Sequence, residues 1–297
     1  MIKWGNVFIS MILEALPFIL IGSLASSVIQ IYISEDIVKR ILPKSRIISI
    51  IFAAFMGLFI PICECAIVPI TRSLMKKGIP IAVAVVFMLT VPIVNPVVIA
   101  STFYAFKDIN IVLIRVFGGI TCAIIIGLLV EIFTKRNEQV IKSASAYENI
   151  CDCGCETVDY FYNKSKIRLC LEHANKEFLN ILRYYIFGSF LSSLFVVIVK
   201  EDFIENYSKG TILPIVIMML LAFLLSLCSE ADAFIAKGFL EYFGVSAVSA
   251  FLIFGPMLDL KNAIIISSYF KKSFTVKIIT LIVLIVLAFS ISLSFIF

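Results

Sequence analysis

Two long apolar stretches of this chain are broken at matching places by short runs of thiols and acids. The first reads Pro61-Ile62-Cys63-Glu64-Cys65 and the second Ser226-Leu227-Cys228-Ser229-Glu230-Ala231-Asp232. Each follows an apolar run long enough to enter a bilayer, where such groups are costly and mark transport or binding sites. The flanks repeat as well. Gly22-Ser23 with Ser26-Ser27 recurs as Gly188-Ser189 with Ser192-Ser193, and Pro92 with Asn95 recurs as Pro256 with Asp259. The displacement drifts by one residue from one match to the next, which points to an internal duplication of about half the chain. Chance similarity between apolar helices that share Gly, Ser and Pro is the competing account.

Composition fixes the class. Hydrophobic residues make up 61% of the 297 positions, and the mean hydropathy is +1.09. A soluble domain does not carry such a load, and several runs reach the roughly 20 residues that span a hydrocarbon core. The expectation is an all-α polytopic membrane protein. The first apolar run is too long for a cleavable signal peptide. The net charge of +5 is no nucleic-acid signal, because Lys and Arg lie between the apolar runs.

The simplest count gives eight full spans, near 6–31, 47–62, 79–106, 109–133, 181–199, 211–228, 245–270 and 274–297, in two parallel repeats. Basic residues then divide almost evenly between the two sides. If 47–77 and 211–243 are instead re-entrant hairpins with tips at Cys63–Cys65 and Cys228–Asp232, the skew becomes strong. Only Lys3, Lys107, Lys200, Lys209 and Lys237 fall on one side, while Arg115 and Lys261 lie inside the bilayer. That skew is what a cytoplasmic face shows. Three crossings plus one hairpin per half also make the repeats inverted, a common transporter plan. The preferred division is therefore a first repeat over 1–133, a polar cysteine-containing cytoplasmic linker over 134–176 and a second repeat over 177–297.

The third element of each half is also interrupted, as Thr90-Val91-Pro92-Ile93-Val94-Asn95-Pro96 and as Phe254-Gly255-Pro256-Met257-Leu258-Asp259-Leu260-Lys261-Asn262. Proline removes helix donors and frees carbonyls. Breaks at matching positions point to a midplane site. The candidate substrate-binding inventory is Cys63, Glu64, Cys65, Asn95, Cys228, Ser229, Glu230, Asp232, Asp259 and Asn262. Thiolates suit zinc, copper(I), cadmium or trivalent arsenic, and carboxylates supply charge or carry coupling protons. Three acids in the second half need partners, and Lys261 and Arg115 are available. Asp259 with Lys261 also reads as a structural pair, and Cys63 with Cys65 as small-residue packing. Glu14 fits a cavity or a structural role equally, and Cys122 reads as a packing residue. The linker offers Cys151, Cys153 and Cys155, with Cys170 and His173 beyond them. Four ligands for one thiophilic ion are feasible there, as a capture or sensing loop, a metal staple or incidental thiols.

The stretches Pro61-Ile62-Cys63-Glu64-Cys65-Ala66-Ile67-Val68-Pro69, Pro92-Ile93-Val94-Asn95-Pro96 and Phe254-Gly255-Pro256-Met257-Leu258-Asp259 resemble a predicted-permease family that includes organoarsenical efflux permeases. The resemblance covers both apolar halves. It implies a permease; other members are proposed copper or zinc efflux proteins, and some act beside a second membrane subunit. Members often carry Ser or Gly where Glu64 stands, so this chain is expected to favour a cationic substrate. The expected function is a non-enzymatic secondary transporter of a thiophilic metal or metalloid in the cell membrane, working by efflux. It requires no cofactor, although zinc, copper or arsenic(III) could bind. Its expected partners are lipid, a small inorganic ion, and a second membrane subunit or further copies of itself. The alternatives are a membrane thiol oxidoreductase, a non-transporting sensor or subunit of a two-component permease, and a carrier of an organic anion or lipid-linked solute.

Overall fold

The computed structural model describes residues 2–32, 43, 45–58, 64–134, 140–141, 166–198, 210, 212–240 and 242–296. They form α1 (Ile2–Tyr32), α2 (Arg46–Met56), α3 (Glu64–Lys76), α4 (Ile81–Val94), α5 (Pro96–Phe106) and α6 (Ile109–Phe133), followed by α7 (Lys166–Ile198), α8 (Ile212–Leu225), α9 (Asp232–Phe239), α10 (Val245–Met257), α11 (Leu260–Tyr269) and α12 (Lys272–Leu293). The chain is an all-α polytopic membrane protein. The second six elements follow the order of the first: a long helix, two short ones, a helix broken from a shorter partner, and a long closing helix.

Local chemistry explains the breaks. Asn95 accepts a 3.0 Å hydrogen bond on Oδ1 from the Val97 amide, with Pro96 opening α5. Asp259 likewise accepts the Asn262 amide and opens α11. Each side chain satisfies an orphan donor of a helix that begins inside the protein. The first break bends α4 against α5 by 40°. Helix α2 has 11 residues and α8 has 14, lengths of about 16 and 21 Å, short of a hydrocarbon core.

Contacts between elements set their depth and direction. Gly127 of α6 lies against Ala82 and Val86 in the first turns of α4, and Arg46 pairs with Glu131 in the last turn of α6. The start of α2, the start of α4 and the end of α6 therefore share one side. Helix α3 returns the chain to that side, since only residues 77–80 join it to α4. The inner end of α2 is level with the first break: a Cβ on Gly57 would come within 2.7 Å of Val91 Cα. So α2 and α3 enter and leave on one side. The second unit returns to the other. Asp232 meets Arg115, and Phe234 packs on Tyr104 with ring centroids 6.2 Å apart, so α9 follows α5 toward the start of α6.

The long helices α1 and α7 run antiparallel. Trp4 and Phe8 pack on Phe190, Tyr185 Oη donates to the Met11 carbonyl at 3.1 Å, and Ser27 Oγ donates to the Cys170 carbonyl at 2.6 Å. Antiparallel first helices, with short paired helices returning to opposite sides, are the arrangement expected of inverted halves. Ser26 and Ser27 of α1 bond Glu177 and Cys170 of α7, and Ser23, Ser189, Ser192 and Ser193 on these two helices are buried as well. Small side chains let two backbones approach closely in lipid.

Helix α7 begins at Lys166, so the last residues of the segment expected as linker are helical. Cys170, Ala174, Ile181 and Tyr185 form a buried stripe at helical spacing, while Ile167, Leu171 and Leu179 are exposed. That stripe overrides the polar composition that suggested a loop. Cys151, Cys153 and Cys155 lie outside the described residues.

Candidate functional site

The best-defined polar centre lies at the tip of the second re-entrant unit. Residues 226–231 are non-helical between α8 and α9. Ser226 adopts φ 46°, a left-handed conformation that costs a non-glycine residue about 1–2 kcal/mol. Its Oγ accepts the Leu260 amide at 2.9 Å, which ties this tip to the second helix break. Beyond it, the Cys228 thiol lies 2.6 Å from Glu230 Oε2. Asp232 then opens α9 and accepts both Arg115 Nη1 at 2.9 Å and Nη2 at 2.8 Å. The guanidinium also donates to Thr102 Oγ1 at 2.8 Å and to the Ser229 carbonyl at 3.1 Å. Arg115 is 1% exposed and Asp232 3%. This planar two-point pairing is the geometry best able to hold a desolvated carboxylate.

The second centre is the α10–α11 break. Asp259 Oδ2 lies 3.9 Å from Lys261 Nζ. The ammonium leans toward Tyr185, 5.2 Å above the ring and 3.5 Å from its hydroxyl. Asp259 and Lys261 are both buried, so this pair is looser than Arg115–Asp232 although equally removed from water. Asn262 Oδ1 is buried with no hydrogen-bond partner among the described residues.

The first tip is described in part. Glu64 opens α3 and is buried. Cys63 and the Cys65 side chain lie outside the described residues. Asn95 is buried at the first break, where it caps α5. The structure thus brings Cys228, Ser229, Glu230 and Asp232 into one turn and sets Asp259 and Asn262 beside it through Ser226. Among the described residues no three of His, Cys, Asp and Glu are close enough to hold a metal ion. Cys170 faces α1, with its Sγ 3.2 Å from Ser27 Oγ. His173 stands one turn further, in the charged half of α7. Burial, and then the Lys176 charge, lower its pKa below the ordinary imidazole value, which favours the neutral form. Cys122 is fully buried in α6, as a packing residue should be.

Thr102 and Tyr185 were not among the residues singled out from the sequence, and Ser226 figured only as the first residue of the second interruption, outside the candidate inventory. Their role depends on partners far along the chain, and Ser and Tyr in apolar helices give no signal on their own. The Arg115 charge was visible inside an apolar span, but its choice of Asp232 was not.

Comparison with known proteins points to a membrane permease family. The sequence profile of a family described as Predicted permease matches residues 3–295. A Streptococcus mutans protein named as a subunit of a two-component membrane permease complex is 41% identical, over 92% of this chain and 89% of its own length. UPF0718 protein YcgR of Bacillus subtilis is 40% identical, over 97% of this chain and 95% of its own. No solved structure matches the chain.

Proposed function

The chain belongs to the predicted permease family, and from that premise we propose that it exports a thiophilic metal or metalloid cation from the cell through the level of its helix breaks. The observation that carries this reading is the Cys228 thiol against the Glu230 carboxylate, at a non-helical turn between two short helices, α8 and α9. The first tip carries Cys63-Glu64-Cys65 at the matching place in the sequence. Sulfur beside oxygen suits a soft or borderline cation. On binding, the Cys228 proton passes to Glu230 and from there to solvent, so cation movement and proton movement are linked. Asp232 is engaged by Arg115 and serves to position the tip. Asp259, with its weaker hold on Lys261, is the acid of the second half left for coupling, and Glu64 is buried at the first tip. The two-component name of the Streptococcus mutans relative supports a second membrane subunit as partner. The Lys and Arg skew supports a cytoplasmic linker, where Cys151, Cys153 and Cys155 would meet the ion first.

The test is cellular metal content. A strain lacking the chain is complemented with the wild type, Cys63→Ser, Cys228→Ser or Glu230→Gln, and exposed to zinc, copper, cadmium or arsenite. For one of these, the three variants should accumulate several-fold more than the wild type. Equal content in all strains for every ion would overturn the proposal.

A further inference from the structure

The two halves pair their short helices in the same way across the molecule, yet among the described residues only one of the two resulting junctions is covered. Helix α3 lies against α11, with the Arg72 guanidinium 5.0 Å from the Tyr269 ring centroid, and α5 lies against α9 through Tyr104 and Phe234. Inverted halves make these two junctions counterparts. The α1–α7 pair sits on the first. A Cβ on Gly22 would overlap that of Ala66, Ser26 Oγ is 2.8 Å from Ser73 Oγ, and a Cβ on Gly188 would come within 3.0 Å of Lys261 Cα. The second junction is bare of α1 and α7, and Val97, Tyr104 and Phe234 are each at least half exposed.

We propose that the exposed α5–α9 face is a second docking surface, whose occupant is the chain's own α1–α7 pair. Counting on from Cys63 and Cys228, Ala66 corresponds to Ala231 and Ser73 to Gly238. The small residues that let α1 approach α3 are therefore kept in the second unit, Ala231 just ahead of α9 and Gly238 within it; both are exposed, and a Cβ on Gly238 would meet nothing within 4 Å. Gly22 and Ser26 correspond to Gly188 and Ser192 on α7, so the complementary surface is duplicated as well. Small residues one above another are a helix-docking surface in lipid. When two inverted halves exchange roles, Ser192 takes up against Gly238 the contact that Ser26 now makes with Ser73. The same displacement uncovers Lys261 and Asp259 and covers the Arg115–Asp232 junction. This deepens the permease reading by assigning the moving part. Its test uses no substrate, so it can fail independently of the metal proposal.

The variants Ser26→Cys/Ser73→Cys and Ser192→Cys/Gly238→Cys are oxidised with copper phenanthroline in native membranes, and linked peptides are mapped by mass spectrometry. Both pairs should link within one chain, the first faster. Adding Gly238→Trp, which fills space open here, should carry the first link to completion, whereas Gly5→Trp, equally unobstructed, should leave it unchanged. Absence of the second link where the first forms would overturn the proposal. A second link only between chains would also overturn it, assigning the face to another copy. If the second pair is not produced, an unaltered first link with Gly238→Trp overturns the proposal alone.

Discussion

Arg115 and Asp232 are buried and joined at 2.8 and 2.9 Å, and removing one partner strands the other. Breaking such a pair costs about 3–5 kcal/mol, while replacing both members with apolar side chains of similar size is close to neutral. Asp232→Leu should therefore lower the thermal unfolding temperature in detergent sharply, and Arg115→Met/Asp232→Leu should recover most of it. Asn95→Ala is expected to cost about 1 kcal/mol through the lost α5 cap, and Asn95→Asp to keep the cap, both read by the same melting measurement. At this scale the sequence was partly legible. Asn95 and Asp259 stood out as polar residues at proline-containing interruptions of apolar runs and were read as candidate ligands; that each caps the helix following it emerged only from the structure. The partner of Arg115 lies 117 residues away and was set by tertiary packing, for which local patterning carries no signal.

At the scale of elements, the interrupted runs were legible from clustered polar residues next to Pro, as at Asn95-Pro96; Pro alone was no marker, since Pro17, Pro69, Pro92 and Pro256 lie within helices. The direction in which each short helix travels was not, since 11 or 14 apolar residues read alike in a crossing and in a re-entrant arm. The distinction came from long-range neighbours: Arg46 beside Glu131, and Gly57 beside Val91 and Val94. The start of α7 was misread for a related reason, because a helix with one buried stripe and one charged face resembles a polar linker in composition. Close packing of α1 on α3 depends on Gly22 lacking a side chain. Gly22→Val should separate the two helices at a cost of about 1–3 kcal/mol. It should also slow oxidative linking of Ser26→Cys/Ser73→Cys several-fold.

At the scale of the molecule, the arrangement makes a statement about sidedness that an eight-span chain would contradict. Ser45→Cys and Lys77→Cys should react with a membrane-impermeant maleimide from the same side, and Lys107→Cys and Gly244→Cys from the opposite side. In eight spans, the members of each pair would separate. The positive-inside skew predicts that the first pair faces the cytoplasm. The Arg115–Asp232 join also bears on how the chain is made. Its guanidinium enters the membrane well before the carboxylate has been synthesised. At about 5–20 residues per second, the ribosome needs roughly 6–23 s to supply the 117 intervening residues. A lone arginine at a helix centre costs about 2.5–3.5 kcal/mol on insertion, which the 25-residue apolar α6 must outweigh alone. Until the second half emerges, the first is an incomplete membrane segment carrying an unneutralised charge, a state that insertion chaperones and quality-control proteases are equipped to recognise.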